Sequence, residues 1–232
     1  MNWEDKVKSS NWWMEASDML DRHFDPSEGV TLADHLESVY RNLDFLGPTY
    51  SGHEYFSQLN TALEALGQNP VQLSTLLGPV ALLHDIGKVR EDKSSESPHP
   101  LTGKPVKLRH PVVGLIAGLE VLPADHADRD MVLALIEEHD TPFSWYMNFQ
   151  KSGQTPKPKS WAKLDRKINP SADGTGIVAL AVFKLADIDG HEDVNDVVWF
   201  FDRANSNILV EKGKWLPVPD EVAIKSLEVQ GT

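Results

Sequence analysis

Apolar residues recur along most of the chain at intervals of three and four, the period of a helix with one buried face. WEDKVKSSNWWMEASDMLDRHF sets Trp12, Trp13, Met19, Leu20 and Phe24 on roughly one stripe. TLADHLESVYRNLDFL does the same with Leu32, His35, Val39 and Leu43, behind Thr31 as a candidate N-cap. EYFSQLNTALEALG ends at Gly67, a C-cap position. NPVQLSTLLGPVALLHDIG is apolar on most sides, which predicts a central buried helix or a helix pair broken near Gly78-Pro79. The polar, proline-punctuated stretch from Lys88 to Leu108 predicts a long loop. Helical patterns resume in HPVVGLIAGLEVL, DRDMVLALIEEHD, GIVALAVFKLADIDG and DVNDVVWFFDRAN. NILVEKGKWLPVP predicts two short strands about Lys212-Gly213. The expected fold is mainly all-α, a single domain over 1–232. Its core spans about 30–205, and a small C-terminal β-hairpin and a helix follow over 206–232.

Composition narrows the setting. The 232 residues, 41% hydrophobic and 25% charged, are those of an ordinary globular protein with a substantial core. No apolar run approaches the roughly 20 residues of a membrane span, and the charged N-terminus lacks a signal-peptide core. Without cysteine there are no disulfides or thiolate ligands, and a reducing cytoplasm is the expected compartment. A formal net charge of −13 excludes long duplex nucleic acid as a general partner. Lys151 to Lys167 runs against that balance, with six basic residues and the single acid Asp165. That segment is either a solvated loop or an anion-attracting flap beside an active site.

Buried histidine and aspartate must be paired, hydrogen-bonded or metal-bound. His35 falls on the apolar face of its helix, and His84-Asp85 follows Ala81-Leu82-Leu83. His110 opens one helical pattern, while His139 and Asp187 close two others. Imidazole nitrogen with carboxylate oxygen suits first-row divalent metals, and the two oxygens of Asp85 allow it to bridge two ions. Each histidine at a helix end has an alternative role in answering the dipole. Asp187 competes with Asp189, and is preferred because it falls on the helix one turn beyond Lys184. Gly87 permits close backbone approach, and Lys88 serves either as a helix C-terminal charge or as a site residue. Arg109 and Lys184 are each close in sequence to a ligand candidate. Glu138 and Asp140 flank His139, and only one of them can face the same way as its ring. His23, His53, His99, His126 and His191 fit no part of the pattern and are assigned to the surface or to caps.

The pentapeptide HDIGK after an apolar helix, with a helical histidine upstream and a helical aspartate downstream, resembles the HD-domain superfamily of metal-dependent phosphohydrolases. The H…HD…H…H…D order falls on His35, His84-Asp85, His110, His139 and Asp187, and the resemblance covers about residues 30 to 205. It implies a helical bundle holding one or two divalent ions, drawn from manganese, iron, cobalt, nickel, zinc or magnesium. It also implies catalytic roles for Asp85 and Lys88, with Lys88, Arg109 and Lys184 toward the substrate. The implied activity is hydrolysis of a phosphate ester by a metal-activated water. The best-fitting substrate is a nucleotide or a related small phosphorylated molecule, for whose base Phe143, Trp145 and Tyr146 offer stacking surfaces if they are not core. The same ligand set in a branch of the superfamily implies a di-iron oxygenase, and a non-catalytic nucleotide-binding module is a third expectation.

Overall fold

A computed structural model describes residues 2–188, 193–209, 213 and 215–230. In chain order the helices are α1 (Trp3–Lys8), α2 (Asn11–Asp18), α3 (Leu32–Asn42), α4 (Glu54–Ala65) and α5 (Pro70–Leu83). A two-stranded hairpin, β1 (Asp92–Pro98) and β2 (Pro105–Leu108), precedes α6 (His110–Val121) and α7 (Arg129–Glu138). Then follow α8 (Thr141–Ser152), α9 (Pro158–Ile168), α10 (Thr175–Ala186), α11 (Asn195–Ala204) and α12 (Glu221–Gln230). The fold is mainly α with a small antiparallel hairpin. Among the described residues no helix is long and apolar enough to cross a membrane.

The helices form where local chemistry starts them. Thr31 and Asp34 make a reciprocal capping box at the start of α3, and Asn69 caps α5 with Pro70 at its first position. α5 is one helix that carries Pro79 in its interior, and it is buried from Leu77 to Leu83. α10 is buried from Gly176 through Ala186, so it is the axis about which the others pack. The buried acid of the basic segment has a local reason: Asp165 on α9 accepts hydrogen bonds from Gly174 N (2.9 Å) and Ile177 N (3.1 Å), capping α10.

Four sequence expectations change. The N-terminal stripe is two short helices, because Ser10 accepts from Trp13 N and starts a new one, and Leu20 is exposed in a bridge to Thr31. The expected loop over 88–108 contains the β1–β2 hairpin, which runs in register from Glu96–Lys107 to Pro98–Pro105 and reaches the Asp92–Leu108 pair across a bulge. β1 is built of Asp, Lys, Ser, Glu and Pro, poor strand formers, and β2 has only Val106 and Leu108 as apolar residues, too short a run to carry a periodic signal. Of the segment 151–167, expected as a loop or a flap, Lys151 and Ser152 end α8, 153–157 is a short connection, and the rest is α9. The hairpin expected near the C-terminus is not found among the described residues. Asn205–Leu209 is helical and 215–220 is irregular, while Val210–Lys212 and Lys214 lie outside the described residues.

One glycine sets the position of the site. A Cβ on Gly87 would lie 2.1 Å from His110 O and 2.5 Å from Gly114 N. Only glycine lets the turn after His84-Asp85 meet the backbone of α6 this closely. That contact brings Asp85 and His110 together.

Candidate metal centre

Six side chains converge from five helices. His35 projects from the buried face of α3, and His84 ends α5, with Asp85 next to it. His110 opens α6, His139 ends α7 and Asp187 ends α10. The C-termini of α5, α7 and α10 therefore point together, and their dipoles favour a cation there. All six positions expected from the sequence are at one place. Asp189 and His191 lie outside the described residues.

Asp85 sits at the middle. Its Oδ2 lies 3.5 Å from His84 Nε2 and 3.8 Å from His35 Nε2. Its Oδ1 lies 3.3 Å from His110 Nε2 and 3.4 Å from His139 Nε2. Asp187 Oδ1 adds a second carboxylate to the first group, 3.0 Å from His84 Nε2 and 3.8 Å from His35 Nε2. Two ligand sets result, His35-His84-Asp85 and Asp85-His110-His139, sharing one aspartate.

The rings are oriented by their far nitrogens. His84 Nδ1 donates to Ala81 O (3.0 Å) and His139 Nδ1 donates to Ile136 O (2.8 Å). A carbonyl only accepts, so in each neutral ring the proton sits on Nδ1 and the Nε2 lone pair faces the centre. His110 is braced from the hairpin side: its backbone N–H donates to Glu91 Oε1 at 3.0 Å, and its Nδ1 lies 3.4 Å from the same oxygen.

Charge and burial explain the titration behaviour. Burial opposes ionisation of Asp85, but His84, Lys88 and His139 hold its pKa well below the usual carboxylate range. Asp187 is likewise depressed against burial, by Lys184 and His84. Lys88 Nζ lies 2.5 Å from Asp85 Oδ2, and the buried Lys184 Nζ donates to Asp187 Oδ2 at 2.6 Å. Burial, reinforced by His84, lowers His35 to about 4, and burial also lowers His110. His139 moves up, because its hydrogen bond to Asp85 and the charge of Asp140 outweigh burial.

These opposite shifts predict a stability maximum near pH 6.5 in chelator. Below that value the unfolded chain takes a proton that folded His35 refuses until about pH 4. Stability present above 6.5 is lost as pH falls toward 4, by about 3 kcal/mol for His35 alone. The raised His139 works the other way, contributing below 6.5 and losing that contribution as pH rises through its folded value. Urea unfolding from pH 4 to 8 checks this, and a flat profile in wild type would contradict it. His35→Gln removes most of the acid-side slope.

Several contributors escaped the sequence. Asp21 is buried, its Oδ1 3.3 Å from His23 Nδ1 and its Oδ2 3.9 Å from His35 Nδ1, and His23 lines the cavity instead of lying on an unrelated surface. The spacing Asp21-Arg22-His23 was the only available signal, and nothing in its period links it to His35. His99 is buried, not a surface residue: it accepts at Nδ1 from Leu101 N and Thr102 N and faces Glu137 at 3.0 Å, pinning the hairpin to α7. Asp140 approaches His110 Nε2 (3.3 Å) and His139 Nε2 (3.8 Å), while Glu138 turns away to Lys167 and Thr141. Arg109 is exposed at the N-cap of α6 and is not among the residues lining the cavity.

The centre opens into a cavity of about 230 Å³ lined by His23, Lys88, Phe143, Lys184 and Asp196 together with Asp85, Asp187, His110 and His139, while His35 and His84 are not part of its wall. A more open cleft of about 600 Å³ beside α4 holds none of these ligands. Comparisons with protein-family models, with curated proteins and with solved structures returned no match.

The fit of a cation rests on the donors. His35 Nδ1, His35 Nε2 and His84 Nε2 are buried without a hydrogen-bond partner, each a cost of about 1–3 kcal/mol unless something binds there. Asp21, Asp85, Asp140, Asp187 and Asp196 face Lys88 and Lys184, leaving a formal excess of three negative charges around the rings. Both clusters can hold a metal ion.

Proposed function

We propose that this chain is a metal-dependent phosphohydrolase of the HD-domain type, cleaving a phosphate ester of a nucleotide or related small substrate. The observation that carries it is Asp85, which offers one carboxylate oxygen to each pair of histidines. His35, His84, Asp85 and Asp187 would hold one divalent ion, and Asp85, His110 and His139 a second. Such ions, when bound, polarise a phosphoryl oxygen and lower the pKa of bound water from 15.7 to about 7.

The chain's own residues supply the rest. Nδ1 hydrogen bonds on His84 and His139 keep their Nε2 lone pairs turned inward. Lys184 holds one oxygen of Asp187, so the other faces His35 and His84. Lys88 lines the cavity, and its ammonium is available to a phosphate oxygen once the charge of Asp85 is drawn to a cation. Phe143 gives the cavity an apolar wall against which a base or sugar can lie. Two lysines at the cavity suit a phosphate anion, whereas dioxygen has no charge for them to meet. Arg109 has no part in this proposal.

Metal analysis followed by a phosphate-release screen tests it. The screen covers nucleotides and cyclic nucleotides with manganese, cobalt, iron or magnesium added. Bound divalent metal and metal-dependent release from at least one nucleotide are expected. Iron with oxygen consumption and no phosphate release would replace the hydrolase with a di-iron oxygenase. Nucleotide binding without turnover under any metal would make the chain a binding module.

A further inference from the structure

Two helices beside the centre carry chemistry that a small ester does not use. On α8, Phe143 (48% exposed), Met147 (37% exposed) and the exposed Lys151 recur every four residues along one solvent-facing stripe. The stripe starts in the metal cavity, which Phe143 lines, and runs about 12 Å at 1.5 Å per residue. Its far end meets a second cleft, of about 380 Å³, lined by Trp145, Asn148, Lys151, Ser152 and Gln154 among others.

α9 returns from there toward the centre, held to α8 by the Trp145 and Trp161 rings at 4.8 Å. Lys159, Lys163 and Lys167 again recur every four residues, and Lys167 grips Glu137 and Glu138, the neighbours of His139. On α9 Lys167 is therefore nearest the end of α7 that carries His139, and Lys163 and Lys159 lie progressively farther along the helix. Lys151, Lys157, Lys159, Lys163 and Arg166 are exposed and make no ion pair among the described residues. Elsewhere on this acidic surface Lys8, Arg90, Lys93 and Lys107 are each paired with a glutamate, whereas Lys6, Arg22, Arg41, Lys104, Arg109 and Lys225 are exposed and, like the segment's cations, in no ion pair among the described residues. The one acid within the segment, Asp165, is turned inward to cap α10.

We propose that α8 and α9 form a track for single-stranded nucleic acid and deliver a strand end to the metal cavity. Delivery for cleavage rests on the phosphohydrolase reading, but binding by the track does not. The charge pattern favours a repeating anion over a single phosphate, since five unpaired cations spread over two helices exceed what one phosphate can engage. An exposed phenylalanine at the cavity mouth provides a face for a base. At about 3.4 Å per stacked nucleotide, the α8 stripe matches three to four residues of one strand. A duplex would bring its second backbone against the acidic remainder of a chain with net charge −13.

Fluorescence anisotropy of the full chain in chelator tests binding, with labelled oligodeoxythymidylate and oligouridylate of about ten residues as the two probes. Expected are salt-sensitive binding and a loss of about tenfold or more in a Lys151→Gln/Lys159→Gln/Lys163→Gln variant. Its log–log salt slope should fall by about 2, from roughly 0.7 for each lost contact. Phe143→Ala should weaken binding by about tenfold. The preferred probe of the pair assigns the sugar. In metal-loaded protein, the triple variant should lose at least about tenfold more activity on the oligonucleotide than on bis(p-nitrophenyl) phosphate.

The inference is overturned if the oligomers bind no tighter than thymidine monophosphate, or if the triple variant binds like wild type. It also fails if duplex or phosphatidylserine vesicles bind as tightly with the same lysine dependence. Strand binding without hydrolysis of either substrate would support the track and remove the phosphohydrolase reading. Ester hydrolysis without strand binding would do the reverse.

Discussion

Asp85→Asn is expected to abolish metal-dependent phosphate release, by at least about 1,000-fold, or about 4 kcal/mol of transition-state stabilisation. The side chain keeps its shape but loses its charge and one of its two anionic oxygens. Both histidine pairs face this one carboxylate, so both metal sites weaken together. His139→Asn serves as the contrast, because His139 belongs to only one ligand set. It should lower the bound metal by a single ion and leave the His35-His84 side loaded. Metal content by elemental analysis, read beside turnover, separates the two variants. An Asp85→Asn protein that keeps both its metal and its rate would remove the proposed function.

Asp187→Ala should cost about 3–5 kcal/mol of folding stability in chelator, the range for breaking a buried ion pair on one side. The reason is Lys184, whose buried ammonium then loses the oxygen it holds at 2.6 Å. Asp196 and Asp140 also act on Lys184 through their charge. Lys184→Met combined with Asp187→Ala should recover much of the loss, since the stranded charge goes with its partner. Urea unfolding of the two single variants and the double variant closes the cycle. If the double variant is as unstable as the sum of the singles, the pair does not stabilise by mutual compensation.

These two experiments separate a ligand role from a structural one. Asp85 is expected to matter most for metal and turnover, whereas Asp187 matters for both metal and the folded state. The difference follows from the lysines. Lys88 lies at the cavity wall and near Asp21 as well as Asp85, while Lys184 is enclosed on α10.

How far the site was legible depended on where each residue sits. His35 stood out because it occupies an apolar helix face, and His84, His139 and Asp187 because they end apolar runs. Helix periodicity exposes such positions directly. Asp21 and His23 lie in the segment between α2 and α3, where no period applies, and their contact with His35 appears only after folding. Arg109 looked close to the site because it precedes His110, yet an N-cap position sends its backbone, not its side chain, toward the helix.

The hydrophobic pattern and the order of histidines and aspartates alone determined a mainly helical chain and the six ligand candidates. Both are local properties, encoded in the three-to-four spacing of buried positions. Tertiary structure decided which oxygen of Asp85 faces which ring, and that Lys88 and Lys184 occupy Asp85 and Asp187. It also made most of the basic segment into helix α9, anchored beside His139 through Lys167. Those outcomes join residues far apart in sequence through close backbone approach, as at Gly87 and His110, and through buried charges that must find partners. Neither requirement leaves a periodic trace in the chain.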